Sequence, residues 1–427
     1  MFRARDEFKH SGFLQRHGLL VGRLWGQNQS IWRVTSETAG ASGGGRVISK
    51  EGQAFYSSKR FDNHLDGFSE RRSTVGGISQ PQLLKGGDEM KLYGAIDLHS
   101  NNNVTVLTDE QDKVVYQKCL TNDLPLILEQ LSPYAPSIEG IVVESTYNWY
   151  WLVDGLMEQG HGVHLANTAA IQQYEGLKYT DDDSDARWLA HLFRLGVLPE
   201  GYIYPKEERA VRDLLRKRSQ LVRQKTANLL SIQNLYSRNT GSSISANRIK
   251  QLNSEKVDAQ FPNVDLALAV KANLTVIRSL ETEIAILERI VKERVKLRPA
   301  YRYLLSMSGI GQILALTIML ETGDIRRFRK VGNFASYCRC VGSEKLSNGK
   351  RKGSGNTKNG NKYLSWAFVE AANFAIRFEP LIARYYQRKK SKTHRVVAIK
   401  TVAHKLARAC YHVMRDEVPF DVNRAFA

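Results

Sequence analysis

Four carboxylates in this chain are spaced for metal-assisted chemistry. Asp182 and Asp185 stand three residues apart in the stretch 178–187, Lys-Tyr-Thr-Asp-Asp-Asp-Ser-Asp-Ala-Arg, where an apolar helical pattern begins (Trp188, Leu189, Leu192, Phe193). At that spacing two side chains share one helix face. Acids in a first helical turn also complement the helix dipole, so the pair alone is equally a plain helix start. Two further acids decide for chemistry, because each closes an apolar run: Asp97 in Leu-Tyr-Gly-Ala-Ile-Asp-Leu (92–98) and Glu144 in Ile-Glu-Gly-Ile-Val-Val-Glu (138–144). Asp97, Glu144, Asp182 and Asp185 form an Asp-Glu-Asp-Asp set of hard oxygen donors. Such a set suits Mg²⁺ or Mn²⁺, and no Cys/His set competes for a softer ion. Two such ions about 4 Å apart activate an attacking oxygen and stabilise the leaving one in phosphoryl transfer. Asp181 and Asp183 flank the helical pair, and a slip of register would exchange roles. Asp182 and Asp185 are preferred because Asp185 leads directly into Ala186 and the apolar face, which leaves Asp181 as a helix cap.

The elements that must position these acids follow from the patterning. Strands are predicted over 92–98, 104–107 and 114–118, with polar turns between them, as an antiparallel meander. A helix over 124–131, a strand over 138–144, a helix over 149–159 and a strand over 163–166 come next. This order is that of a ribonuclease H-like mixed sheet, in which the first and fourth strands lie side by side. Asp97 and Glu144 would then meet, with the helix at Asp182 packed across the strand ends. A long amphipathic helix is expected from Glu207 to about Tyr236, then a polar loop over 237–247, then a second long helix over 264–297. The second carries Leu274, Ile277, Leu280, Ile284, Leu287 and Val291 near heptad spacing. An antiparallel coiled-coil hairpin that also pairs with another subunit is one outcome, and a helix pair packed on its own chain is the other.

The remaining region opens at Pro299 and reads as mostly helical. Gly309-Ile310-Gly311 before an apolar helix (313–321) resembles a helix-hairpin-helix turn, whose amides could hold a phosphate; a tight turn that needs glycine accounts for it equally. The run 343–362 has no acid beyond Glu344 and carries Lys350, Arg351, Lys352, Lys358 and Lys362. It is expected to be a solvated loop with a one-sided charge that favours phosphate. Helices over 363–377 and 396–414 flank a basic run at 388–395, and disorder is expected beyond Asn423. Cys338 and Cys340 are expected to alternate on a strand and to bind no metal.

Composition sets the class of partner. The 427 residues carry 62 Lys+Arg against 43 Asp+Glu, a net charge of +19, which suits a polyanion such as nucleic acid. No apolar run approaches bilayer length, so no membrane span is expected. Four cysteines (Cys119, Cys338, Cys340, Cys410) without a CxxC indicate a reducing, cytoplasmic setting. Residues 1–89 hold a Gly-rich stretch and no sustained period, and are expected to be poorly ordered. Lys85-Gly86-Gly87-Asp88-Glu89 before Met90 is encodable by a purine-rich ribosome-binding site. Met90 is therefore a candidate native start, with the chain nucleoid-associated in a bacterial cell.

Read in order, Ala95-Ile96-Asp97, Val142-Val143-Glu144-Ser145-Thr146, Thr180 to Ala186, Ser308-Gly309-Ile310-Gly311, Ser347-Asn348-Gly349 and Lys358-Asn359-Gly360-Asn361 resemble bacterial insertion-sequence transposases of the IS110 family, in its IS1111 branch. The Piv invertases are similar. The resemblance covers residues 90–427. It implies a RuvC-like DEDD domain (90–204), a helical coiled-coil region (205–298) and a C-terminal serine-bearing transposase domain (299–427), the whole being α/β plus α. It also implies an RNA-guided DNA recombinase whose serine attacks DNA to form a phosphoserine link. By position that serine is Ser347, with Ser343 and Ser354 as alternatives. Lys350, Arg351 and Lys352 would stabilise phosphate charge. Arg216, Lys217 and Arg223, with Arg212, Arg218 and Lys225, are candidate contacts to a guide RNA, though a solvated helix face explains any one of them as well. DNA, a guide RNA and a homodimer or homotetramer are the implied partners. A metal-dependent nuclease of the Holliday-junction-resolving type, with an incidental Ser347, and a non-catalytic nucleic-acid-binding protein are the competing readings.

Overall fold

A computed structural model of the chain describes residues 90–171, 182–295, 298–342, 344–354 and 359–426. The expectations for residues 1–89, Asp181, Ser343 and Lys358 lie outside the described residues, as do the side chains of Asp182 and Ser354. Strands β1 (Leu92–Leu98), β2 (Asn102–Thr108) and β3 (Val114–Thr121) form the expected antiparallel meander. Helix α1 (Leu124–Leu131), capped by Asp123 accepting from the Leu126 amide, leads to β4 (Ile138–Glu144). Helix α2 (Tyr150–Glu158) and β5 (Val163–Ala166) follow. The sheet order is β3-β2-β1-β4-β5, with β1, β4 and β5 parallel.

The two acid-bearing strands are the central ones, so both their faces are covered. That is why their sequences read as nearly continuous apolar runs rather than alternating ones. One face packs Ile96, Ile141 and Val143 in a cluster with Ile127 of α1 and with Leu152 and Leu156 of α2. The other packs Ala95, Val104 and Val142 against Ala186, Leu189 and Ala190 of α3 (Asp182–Arg194). Close approach of α3 needs a strand without side chain at one point. A Cβ on Gly140 would lie 2.7 Å from the Phe193 ring.

Helices α4 (Lys206–Thr240) and α7 (Val264–Val295) pack along each other and run in opposite directions. Glu208 pairs with Arg298 (3.0 Å), Arg218 with Glu288 (2.6 Å) and Lys225 with Glu281 (3.6 Å). The first helix starts after Pro205 with Glu207 and Glu208 in its first turn, and stops at Gly241 in the left-handed conformation. The segment expected to be a polar loop is partly helical. Helix α4 runs on to Thr240, and short helices α5 (Ala246–Lys250) and α6 (Ser254–Gln260) fill the turn, capped by Ser245 and Asn253. Their Ile249, Val257 and Phe261 pack with Ile232 and Val270.

The C-terminal core is built from α8 (Pro299–Leu304), α9 (Gln312–Thr322), α10 (Val331–Tyr337), α11 (Lys362–Phe378), α12 (Pro380–Lys390), α13 (Arg395–Arg415) and α14 (Val422–Phe426). The Gly-Ile-Gly triplet joins α8 to α9 as a turn between helices. Three expectations are corrected here. Cys338 and Cys340 are not on a strand: Cys338 closes α10 and Arg339 turns the chain with a φ of 54°. Residues 343–362 are not simply a loop, because β6 (Glu344–Ser347) and β7 (Lys350–Ser354) form a hairpin. Residues 424–426 are ordered, since Phe426 is buried against Tyr385 with ring centroids 5.4 Å apart. Among the described residues no helix is long and apolar enough to cross a membrane.

Candidate active site

Adjacent parallel strands set the first two acids side by side. Ile96 of β1 pairs with Val143 of β4, so Asp97 and Glu144 emerge together at the carboxyl ends of the strands. Asp97 is only 4% exposed and Glu144 is half-buried. Burying charged carboxylates costs several kcal/mol unless the charge is compensated. Burial, a hydrogen bond to Asp97 and the charges of Asp97 and then Asp185 push the Glu144 carboxyl up to about 8. A protonated Glu144 therefore donates to Asp97, a proton occupying the place between two oxygens that a cation would otherwise take. Asp185, from α3, is the third acid of this electrostatic group. Asp182 is one turn earlier on the same helix. The structure thus sets Asp97 beside Glu144 and brings Asp185 within electrostatic reach of Glu144.

Among the described residues no group of three or more His, Cys, Asp or Glu side chains is gathered tightly enough to hold a metal ion unaided. The donor chemistry still fits a hard cation: the set consists of carboxylates only, and their mutual repulsion is relieved by positive charge. Polar residues in the two turns after the acids fix the local backbone. Asn148 and Asn122 both donate to the His99 carbonyl, each at 3.0 Å, and Thr146 donates to the Asn148 side-chain oxygen at 2.9 Å. The His99 Nε2 atom lies 3.5 Å from Asp97 Oδ2. His99 and Asn148 were not singled out by sequence reasoning. The available signal was their place, two and four residues after an acid that ends a strand.

Ser347 is on a separate element. It is exposed and flanks the turn of the β6–β7 hairpin, directly opposite Lys350. The turn is Asn348-Gly349, with φ of 50° and 69°, the pair of left-handed residues that a two-residue hairpin requires. Lys350, Arg351 and Lys352 on β7 are exposed, and Arg351 sits 3.6 Å from Glu344. Asn361 anchors the start of α11. Its side chain donates to Glu321 at 2.8 Å and caps α11 by accepting from the Tyr363 and Leu364 amides, while its backbone amide donates to the Tyr337 carbonyl.

Two family models match this chain. One for the DEDD transposases of IS110 spans residues 95–237, and one described as the transposase IS116/IS110/IS902 family spans residues 301–387. Together they take in more than half of the sequence. The chain is an IS110-family transposase. A protein of Pseudomonas aeruginosa described as "Probable family 20 transposase" is 27% identical to it over 239 residues, which is 53% of this chain and 68% of the relative.

The cations expected to meet nucleic acid divide into two groups in this transposase. Arg216 of α4 gives its guanidinium to Glu321, with Nε at 2.6 Å and the second nitrogen at 2.7 Å. Arg212 is buried, donating to the Tyr150 hydroxyl and lying 3.6 Å over the Tyr204 ring. Arg218 and Lys225 belong to the ion pairs between the long helices. These four are turned toward acids and aromatic rings from distant parts of the chain, Arg212 and Arg216 on one side of α4 and Arg218 and Lys225 on the other. Lys217 and Arg223 are exposed on α4, and Lys362 is exposed at the start of α11.

Proposed function

We propose that this transposase moves an insertion sequence by cleaving and exchanging DNA strands at two cooperating centres. The observation that carries the reading is the convergence of Asp97, Glu144 and Asp185 from two central strands and one helix. Asp97, Glu144, Asp182 and Asp185 would hold Mg²⁺ or Mn²⁺, which when bound supplies Lewis-acid activation of a phosphodiester. Asp97 and Glu144 orient the donor oxygens, and His99 and Asn148 hold the turns on which those acids end.

Ser347 is the nucleophile in this reading. Its Oγ attacks a DNA phosphorus, a P–Oγ bond forms, and the bond to the departing sugar oxygen breaks. The serine proton leaves to a general base, and the released sugar oxygen takes up a proton to become a hydroxyl. A serine hydroxyl is a weak nucleophile unless activated, and the exposed Lys350, Arg351 and Lys352 beside it suit a phosphate. Attack by a second DNA hydroxyl on the phosphoserine then rejoins strands and frees the serine. An element-encoded guide RNA pairs with the DNA to select the site, held by backbone contacts from Lys217, Arg223, Lys358 and Lys362. Two or four copies assemble through the long helices as a coiled coil, in the cytoplasm at the nucleoid.

Ser347→Ala tests the covalent step. A protein–DNA adduct that survives denaturation with the wild-type chain and disappears in the variant supports the reading. Undiminished strand hydrolysis by the variant would instead assign cleavage to the four acids alone. An adduct that persists in Ser347→Ala but is lost in Ser343→Ala or Ser354→Ala would move the nucleophile to that residue.

A further inference from the structure

The helices that close the chain carry a charge imbalance that the two centres above do not use. From Pro380 to Arg415 the sequence has ten Lys and Arg and no Asp or Glu. Those 36 residues contain the whole of α12 and α13, which pack against each other. Two helices without a carboxylate on either cannot neutralise each other, which leaves a local excess of positive charge where they meet.

The cations are also focused. Tyr385 of α12 has Arg388 5.9 Å, Lys389 5.6 Å and Lys405 4.8 Å from its ring centroid. Lys405 lies on α13, so the ring collects cations from both helices. The Lys405 ammonium is depressed first by burial and then by repulsion from Lys389, Arg388 and Arg408. Next to them a cavity of about 310 Å³ is lined by Lys405, Arg408, His412 and Arg424 together with Asp421. Asp421 is committed elsewhere: its Oδ1 caps α14, accepting from the Asn423 and Arg424 amides at 2.9 and 3.3 Å. Lys405 itself is tied inward, donating to the Ala425 carbonyl at 2.8 Å. Arg388, Lys389, Arg408 and Arg424 are exposed.

We propose that Arg388, Lys389, Arg408 and Arg424, gathered where α12, α13 and α14 meet, form a second nucleic-acid surface that grips phosphodiester backbone without reading sequence. The ligand is a polyanion with regularly repeated phosphates rather than a small anion, since the cations are spread over three helices and the exposed Lys390 and Lys392 extend the same run. The surface lies on elements that carry neither the four acids nor Ser347. It rests on the transposase reading only in that a nucleic acid is present to be bound.

The test uses the full-length chain. Affinity for a labelled DNA duplex and for a labelled RNA hairpin is followed by fluorescence anisotropy across a salt series, for wild type and for Arg388→Gln/Lys389→Gln/Arg408→Gln. Each lost phosphate contact removes about 0.9 from the slope of log affinity against log salt on duplex DNA. The triple variant is therefore expected to be shallower by roughly 2 to 3. A change on DNA alone, on RNA alone or on both supports the surface and names its polymer. Acetylation footprinting of the wild type, which needs no variant, should show Lys389, Lys390 and Lys392 protected by the same polymer. Unchanged slopes on both polymers, or unprotected lysines if the variant does not fold, overturn the proposal. Asp97→Asn run alongside keeps the two questions apart: it should keep the wild-type slope while losing strand cleavage. Cleavage by that variant would sink the metal reading and leave this surface to its own slope.

Discussion

Glu144→Gln is the perturbation whose size follows most directly from the structure. Burial and the neighbouring Asp97 and Asp185 raise the Glu144 carboxyl from 4.5 to about 8. A group raised on folding binds its proton more tightly in the folded chain. Its stabilising contribution is therefore complete below about pH 4.5 and is lost as pH climbs through 8. At about 1.36 kcal/mol for each tenfold change in proton affinity, the full loss would approach 5 kcal/mol. Glu144 is only half-buried, so solvent screens the repulsion and about 2 kcal/mol is the expected loss. The assay is unfolding in chelator between pH 5 and pH 8.5, wild type beside Glu144→Gln. Wild type should lose about 2 kcal/mol relative to the variant over that range. The variant cannot ionise at this position and should overtake wild type at the alkaline end. Added Mg²⁺ or Mn²⁺ should restore wild type at high pH and help the variant little. Two pH curves that run parallel would refute the claim that these acids share one crowded site.

Three further outcomes follow. Asp97→Asn should abolish strand cleavage while leaving duplex binding within about twofold, read by gel shift and by nicking of a supercoiled plasmid. Glu321→Ala should destabilise the fold by about 3 kcal/mol in chemical denaturation, because Arg216 and Asn361 both lose a buried partner. Gly360→Ala should lower the melting temperature by several degrees: φ is 86° there, and a Cβ would lie 2.6 Å from the Tyr337 carbonyl oxygen.

Much of the acid site could be read before any coordinates. Asp97 and Glu144 each end an apolar run, and central strands of a mixed sheet must be apolar on both faces. Their adjacency then follows from the order of elements. The helix at Asp182 was visible because Trp188, Leu189, Leu192 and Phe193 recur at helical spacing, and the face that packs is Ala186, Leu189 and Ala190. The β6–β7 hairpin was less visible. Asn348-Gly349 is a strong turn signal, but the flanking strands carry Lys and Arg where alternating apolar residues normally reveal a strand. Inward cations were illegible for a different reason. Arg216 and Arg218 look like any charged positions on a long helix, and their partners Glu321 and Glu288 lie 105 and 70 residues further along the chain. Sequence periodicity shows which residues share a face, not what a distant segment brings to it. The end of the chain is hard to read for a similar reason, because one buried Phe426 is enough to dock a five-residue helix.

The salt bridges 218–288 and 225–281 favour one axial alignment of the two long helices, and sliding by a single turn would break both together. A helix of 35 residues is about 50 Å long, so the capped tip at α5 and α6 is held that far from its root beside the sheet. The pair therefore acts as a gauge rod. Whatever the tip engages is kept at a set span from the acids, and adding two turns to each helix would lengthen that span by about 11 Å without altering either end. That span is written into the length of the two helices rather than into their loops.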